Sequence, residues 1–105
     1  MKHWYVYIMA NKPNGTIYIG VTDNIEERVK EHKLKIYPKS FTAKYNCDKL
    51  VYFEEFENDD EANIREKRFK KWKRDWKIEL IEDMNPSWID ISMNWNLNLK
   101  KFRNE

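Results

Sequence analysis

Trp4-Tyr5-Val6-Tyr7-Ile8-Met9 and Thr16-Ile17-Tyr18-Ile19-Gly20-Val21 are two aromatic and β-branched runs separated by Asn11-Lys12-Pro13-Asn14-Gly15. Branched and ring side chains suit a pleated, half-buried surface, and Pro, Asn and Gly between them signal a turn. The stretch therefore reads as a β-hairpin with a loop of about five or six residues. If Met9 faces Thr16, the constant sum of opposed residue numbers sets Tyr7 opposite Tyr18 and Tyr5 opposite Gly20. Both phenols then share one sheet face, and a slip of one residue would turn one of them away.

Outward from the hairpin, Asp23-Asn24-Ile25-Glu26 has the form of a capping box, with Asp23 as cap and Glu26 three residues on. The helix it opens is expected to run to about Leu34. Ile25, Arg28, Val29 and His32 recur at i, i+3, i+4, i+7, so Arg28 and His32 point where the apolar residues point. Glu26, Glu27, Lys30, Glu31 and Lys33 form the expected wet side. Tyr37-Pro38-Lys39-Ser40 breaks the helix, Ser40 to Cys47 reads as a loop or short helical turn, and Leu50-Val51-Tyr52-Phe53 as a third strand. Asn58 is the expected cap of a further helix, in which Ala62, Arg65, Glu66, Phe69, Trp72, Lys73 and Trp76 make one stripe. Asp75 opens another amphipathic stretch with Ile78, Leu80 and Ile81, ending before Asn85-Pro86, and Ser87 is a candidate cap for a short turn through Ile91. The pattern gives one domain over residues 1–83, with 84–105 a helical turn and tail packed on it or trailing from it.

A chain of 105 residues holding five Trp, six Tyr and five Phe can build a ring-packed core. Cys47 is the sole cysteine, which rules out an internal disulfide and a zinc site of cysteine pairs, and suits a reducing compartment. No apolar run approaches the ~18 residues of a membrane span, so a cytosolic protein is the expectation. The net charge of +2 says little. Its distribution says more: from Ile64 to Lys77 eight basic residues face only Glu66 and Asp75, a local charge of +6. Such a concentration suits a phosphate-facing surface, and equally a solvated helix with i,i+4 pairs.

The order Tyr7…Tyr18-Ile19-Gly20…Arg28…His32…Glu66 resembles the GIY-YIG nuclease superfamily, in particular its small stand-alone bacterial members. Tyr5-Val6-Tyr7 departs from the nominal first triplet at two positions but keeps its tyrosine, and Tyr18-Ile19-Gly20 matches the second triplet after ten intervening residues. The resemblance spans roughly Met1 to Ile81. It implies an α+β fold, a small three-stranded antiparallel sheet flanked by helices, and hydrolysis of DNA phosphodiesters with a single Mg²⁺ or Mn²⁺. Where some relatives carry a Lys three positions after the second tyrosine this chain has Val21, which throws base activation onto His32 or a metal-bound water.

Under that resemblance Glu66 is the metal ligand, since a hard dication tolerates one protein carboxylate beside waters and phosphate. Its alternative is an ion pair with Lys70, Arg65 or Arg28. Arg28 is the donor to developing phosphate charge, or else a structural salt bridge. Tyr7 or Tyr18 receives a proton from the attacking water, or the two are paired sheet aromatics; His32 relays that proton, or is structural. Lys39, Lys44, Lys67, Lys70, Lys71 and Lys73 are the candidate phosphate contacts, which position a strand without reading its sequence. The expected function is a metal-dependent DNA endonuclease, with RNA as a further ligand class. The alternatives are a nucleic-acid-binding module that keeps the fold without turnover, and a protein-interaction subunit.

Overall fold

Side chains along the first strand, β1 (Trp4–Ala10), alternate between two cores. Val6, Ile8 and Ala10 join Ile19, Val51, Ala62, Phe69, Ile81 and Trp88 on one face, while Tyr7 and Met9 join Ile25, Val29, Leu50 and Leu97 on the other. A strand buried on both faces belongs in the middle of a sheet. The computed structural model, which describes residues 3–97, shows this arrangement. Antiparallel β2 (Ile17–Thr22) and β3 (Lys49–Phe56) flank β1 in the order β2-β1-β3. Helices α1 (Ile25–Leu34) and α2 (Phe41–Lys44) precede β3; α3 (Asp59–Lys71) and α4 (Arg74–Met84) follow it, and a 3₁₀ turn covers Ile91–Asn94. Three strands and flanking helices are the expected α+β architecture.

The hairpin register differs by two residues from the sequence expectation. Tyr7 lies opposite Gly20, and Met9 opposite Tyr18. The reason lies at the loop: the Asn11 side chain accepts from the Thr16 amide at 2.9 Å, and the Asn11 amide donates to the Thr16 carbonyl at 3.2 Å. Closing the ladder at that pair extends it by one step beyond Ala10 and Ile17. A two-residue slip keeps parity, so both phenols still share a face.

Three local assignments also move. The α1 cap is Asn24, whose side chain accepts from the Glu27 amide at 3.2 Å, because Thr22 Oγ1 holds the Asn24 amide at 3.1 Å. Lys30, expected on the wet side, is buried; its stem packs inward while its ammonium lies 3.3 Å from Glu27. The stripe from Ala62 to Trp76 is cut at Trp72, whose backbone turns extended and ends α3. There the Arg65 guanidinium lies over both the Phe69 and Trp72 rings, and Trp76 is left half exposed on α4.

The two edges of the sheet are treated differently. On β3 a register shift opposite Ile8 and Met9 interrupts the ladder, and the segment after α4 covers it. Asn85 donates to the Val51 carbonyl at 3.1 Å, and Asp90 accepts from the Leu50 amide at 3.1 Å. Asp90, not Ser87, caps the terminal turn through the Ser92 amide, and it also holds Lys33 of α1 at 2.5 Å. Trp88 and Leu97 are buried, one in each core. A bulged strand edge bristles with unpaired polar groups unless something satisfies them. The expected unassigned tail from Asn94 is described only to Leu97; residues 98–105 lie outside the described residues.

Candidate nucleic-acid interface

Gly20 seats the central phenol. A Cβ built there would lie 2.6 Å from the Tyr7 hydroxyl oxygen and 2.7 Å from Cζ, so the ring occupies the space any side chain would need. Tyr18, diagonal to Tyr7 across the ladder, brings its ring centroid to 6.2 Å. His32, one turn after Arg28 on α1, completes a triangle with centroids 5.7 Å from Tyr7 and 5.5 Å from Tyr18.

Hydrogen bonds fix that triangle. His32 Nε2 lies 2.9 Å from the Tyr7 hydroxyl, and Nδ1 lies 2.8 Å from Thr42 Oγ1. Thr42 is held on α2, whose N-terminus is capped by the Ser40 side chain. A neutral imidazole has one N–H, so His32 donates to one of these two hydroxyl oxygens and accepts from the other. Burial, with the Arg28 charge second, lowers the His32 pKa to about 4. The sequence expectation of a group titrating near neutrality therefore changes: in the fold His32 is neutral at pH 7. Burial also pushes the Tyr7 pKa far above the ordinary phenol value, the neighbouring Tyr18 adding to it and Arg28 opposing it. Tyr7, 1% exposed, holds its proton, while Tyr18 is half-buried.

Arg28 sits at the rim, its side chain 32% exposed. Its Nη1 donates to Glu31 at 2.8 Å, and its guanidinium lies over the Tyr37 ring at 5.8 Å. Burial is the largest influence and works against the Arg28 charge, but the Glu31 hydrogen bond together with the electrostatics of Tyr7, Glu31 and Tyr18 outweighs it and raises the Arg28 pKa. Tyr18, Arg28, Glu31, His32, Phe41 and Thr42 are among the residues that line a cavity of about 100 Å³, so the Arg28 cation there already has a carboxylate beside it. Sequence reasoning missed Thr42, Glu31, Tyr37 and Phe41. Only the i,i+3 spacing of Arg28 and Glu31 was a usable signal; the others arrive through the fold of the α1–α2 connection.

Glu66 stands apart from this group. Its helix, α3, packs by Ala62 and Phe69 on the sheet face opposite the phenols. Because β2 is an edge strand, the two faces communicate around it. A groove of about 260 Å³ runs there, lined by Ile17, Tyr18, Ile19, Phe41, Lys70 and Lys77. Lys70 joins Glu66 to that groove, with Nζ 3.0 Å from Oε2. The Glu66 side chain is 16% exposed and that of Lys70 is 54% exposed, so the carboxylate is mostly buried and the pair opens to solvent on the Lys70 side. No group of three or more His, Cys, Asp or Glu able to hold a metal occurs among the described residues.

Of the other expected phosphate contacts, Lys70 lines the groove. Lys67 and Lys71 are exposed on α3, away from the cavities described here; Lys73 lies over the Trp76 ring. Lys39 and Lys44 are exposed around α2, Lys44 over the Tyr45 ring at 5.3 Å.

The GIY-YIG catalytic domain family matches residues 3–79. This chain belongs to the GIY-YIG family. Among similar proteins, a UPF0213 protein of Clostridium perfringens is 44% identical over 77 residues, covering 73% of this chain and 81% of the relative. A UPF0213 protein of Staphylococcus haemolyticus is 38% identical over 82 residues, covering 78% and 96%. The solution NMR structure of a UPF0213 protein from Bacillus halodurans superposes with a TM-score of 0.53 at 24% identity, covering 88% of this GIY-YIG chain and 97% of that one. That likeness is one of fold. None of the helices among the described residues is long and apolar enough to cross a membrane.

Proposed function

We propose that this GIY-YIG domain binds the sugar-phosphate backbone of DNA along the β2 edge, with one phosphate beside Arg28. A single observation carries the reading: the Arg28 cavity and the Lys70–Lys77 groove meet at Tyr18 and Phe41, a concave basic path beside an uncovered strand. Arg28 presents a planar, permanently charged donor set, and Lys70 and Lys77 add point charges that do not read bases. Affinity for a DNA oligonucleotide should fall steeply with salt, and Arg28→Ala should weaken it at every sequence. A flat salt response would move the function to protein docking.

A second reading, hydrolysis of the bound phosphodiester, is favoured by the Tyr7–His32–Thr42 relay. In it Tyr18 meets the attacking water, Tyr7 and His32 hold the Tyr18 ring in place, and Arg28 answers the charge gathering on phosphate. A divalent cation, Mg²⁺ or Mn²⁺, would supply Lewis-acid polarisation of the phosphate when bound. Glu66 would hold it: a lone, partly exposed carboxylate suits a hard ion that keeps several waters, and Lys70 is its displaceable competitor. Glu66→Ala separates the two readings. Binding in chelator should persist or tighten, because Lys70 is released to the strand, while any Mn²⁺-dependent nicking should vanish. Nicking that survives Glu66→Ala would assign cleavage elsewhere.

A further inference from the structure

A larger cavity, about 600 Å³, opens between the β1–β2 loop and the start of α4. Lys12, Arg74 and Lys77 line it, and no carboxylate does. Neither lysine has an ion-pair partner among the described residues. Arg74 reaches across to the loop, where Nη2 donates to the carbonyls of Asn14, at 2.9 Å, and of Gly15. That anchors the guanidinium on backbone while Nε and Nη1 find no hydrogen-bond partner among the described residues. Three cations around a hollow repel one another, and an anion placed among them would relieve that repulsion. The cavity shares Ile17, Phe41 and Lys77 with the β2 groove, so it is the far end of the same path.

We propose that this cavity is a second phosphate subsite, taken by another phosphate of the strand whose first phosphate lies at Arg28. The inference rests on the DNA-binding reading above and adds to it the direction of the strand along β2, from α1 towards the hairpin loop. Spacing fits: Tyr18 at one end and Thr16 at the other are two residues apart, about 7 Å of strand. That is about the reach from one phosphate to its neighbour along an extended strand, the roughly 3.4 Å of rise per nucleotide being measured along the duplex axis. Lys12 and Arg74, which no periodicity marks as partners, thereby become part of the binding surface, while Lys67 and Lys71 on outer α3 stay outside it.

The test compares two doubly neutralised variants of the full chain, Lys12→Ala/Arg74→Gln and Lys67→Ala/Lys71→Ala, which lose equal charge; neither Lys12 nor Arg74 lines the Arg28 cavity or the Lys70–Lys77 groove. Binding of a twelve-nucleotide single strand is measured by anisotropy across a salt series, and of a dinucleotide with one phosphate by NMR titration. For the cavity pair, twelve-nucleotide affinity should drop about tenfold at low salt, and the salt slope should shrink by about 1.4, two contacts at roughly 0.7 each. The dinucleotide should bind as before. The outer pair should leave both ligands nearly unchanged. Equal losses for the two pairs would mean that net charge alone binds the strand, and no loss for the cavity pair would leave the hollow without this role; either result overturns the subsite while Arg28 binding stands. Failure of the unaltered protein to bind the twelve-nucleotide strand would remove the DNA reading and this one together.

Discussion

Replacing His32 by Gln at a series of pH values tests the buried relay directly. His32 sits at a pKa of about 4 in the fold against an ordinary 6.5. Between those values the unfolded chain binds a proton that the folded chain does not, so stability rises with pH through the window. The contribution is complete above pH 6.5 and is lost as pH falls to about 4. The gap corresponds to at most about 3 kcal/mol. Asp90 and other carboxylates also titrate at the acid end, but they do so in both proteins and cancel in the difference. Urea unfolding, followed by tryptophan fluorescence, should show the stability difference between the native protein and His32→Gln shrinking by up to about 3 kcal/mol from pH 7 to pH 4. With a urea slope of about 2 kcal/mol/M, the gap between midpoints closes by roughly 1 to 2 M. Parallel curves would refute the reasoning: the imidazole would then be as hydrated in the fold as outside it, and its bonds to Tyr7 and Thr42 would not be the closed system described here.

Gly20→Ala drives a methyl group into the Tyr7 ring, which is 1% exposed and tied to His32. A cost of about 1–3 kcal/mol is expected, with loss of the Tyr7–His32 bond in the imidazole NMR spectrum; an unchanged spectrum and stability would contradict the seat assigned to Gly20. Asp90→Ala strips the Leu50 amide, the Ser92 amide and the Lys33 ammonium of one shared partner. Breaking a half-buried pair of this kind should cost about 3 kcal/mol and speed amide exchange at Leu50, whereas Asp90→Asn should recover part of it; an unaltered exchange rate would show that the bulged edge is closed by other means. Asn58→Ala removes the side chain that accepts from the Glu61 amide at 2.9 Å and should cost about 1 kcal/mol by thermal unfolding.

Much of the site was legible before any fold was available, and the reasons are local. Tyr7 and Tyr18 share a face because strand parity survives a two-residue error in register, and Arg28 and His32 point inward because a 3.6-residue period puts them on the stripe of Ile25 and Val29. What periodicity could not supply was pairing between distant segments. The slip from Tyr18 to Gly20 as the partner of Tyr7 followed from the Asn11 side chain closing the loop, a hydrogen bond that no propensity encodes.

By itself the sequence determined element order, the cap at Asn58-Asp59 and the shared faces of Tyr7 with Tyr18 and of Arg28 with His32, since each depends on spacing of a few residues. Only the tertiary structure decided how those groups behave. Burial keeps His32 neutral and locks the proton on Tyr7, because desolvation depends on everything packed around a group and not on its neighbours in the chain. Likewise Asn85, Trp88 and Asp90 close one edge of the sheet and leave β2 open, and that asymmetry draws Lys12, Lys70, Arg74 and Lys77 along a common path.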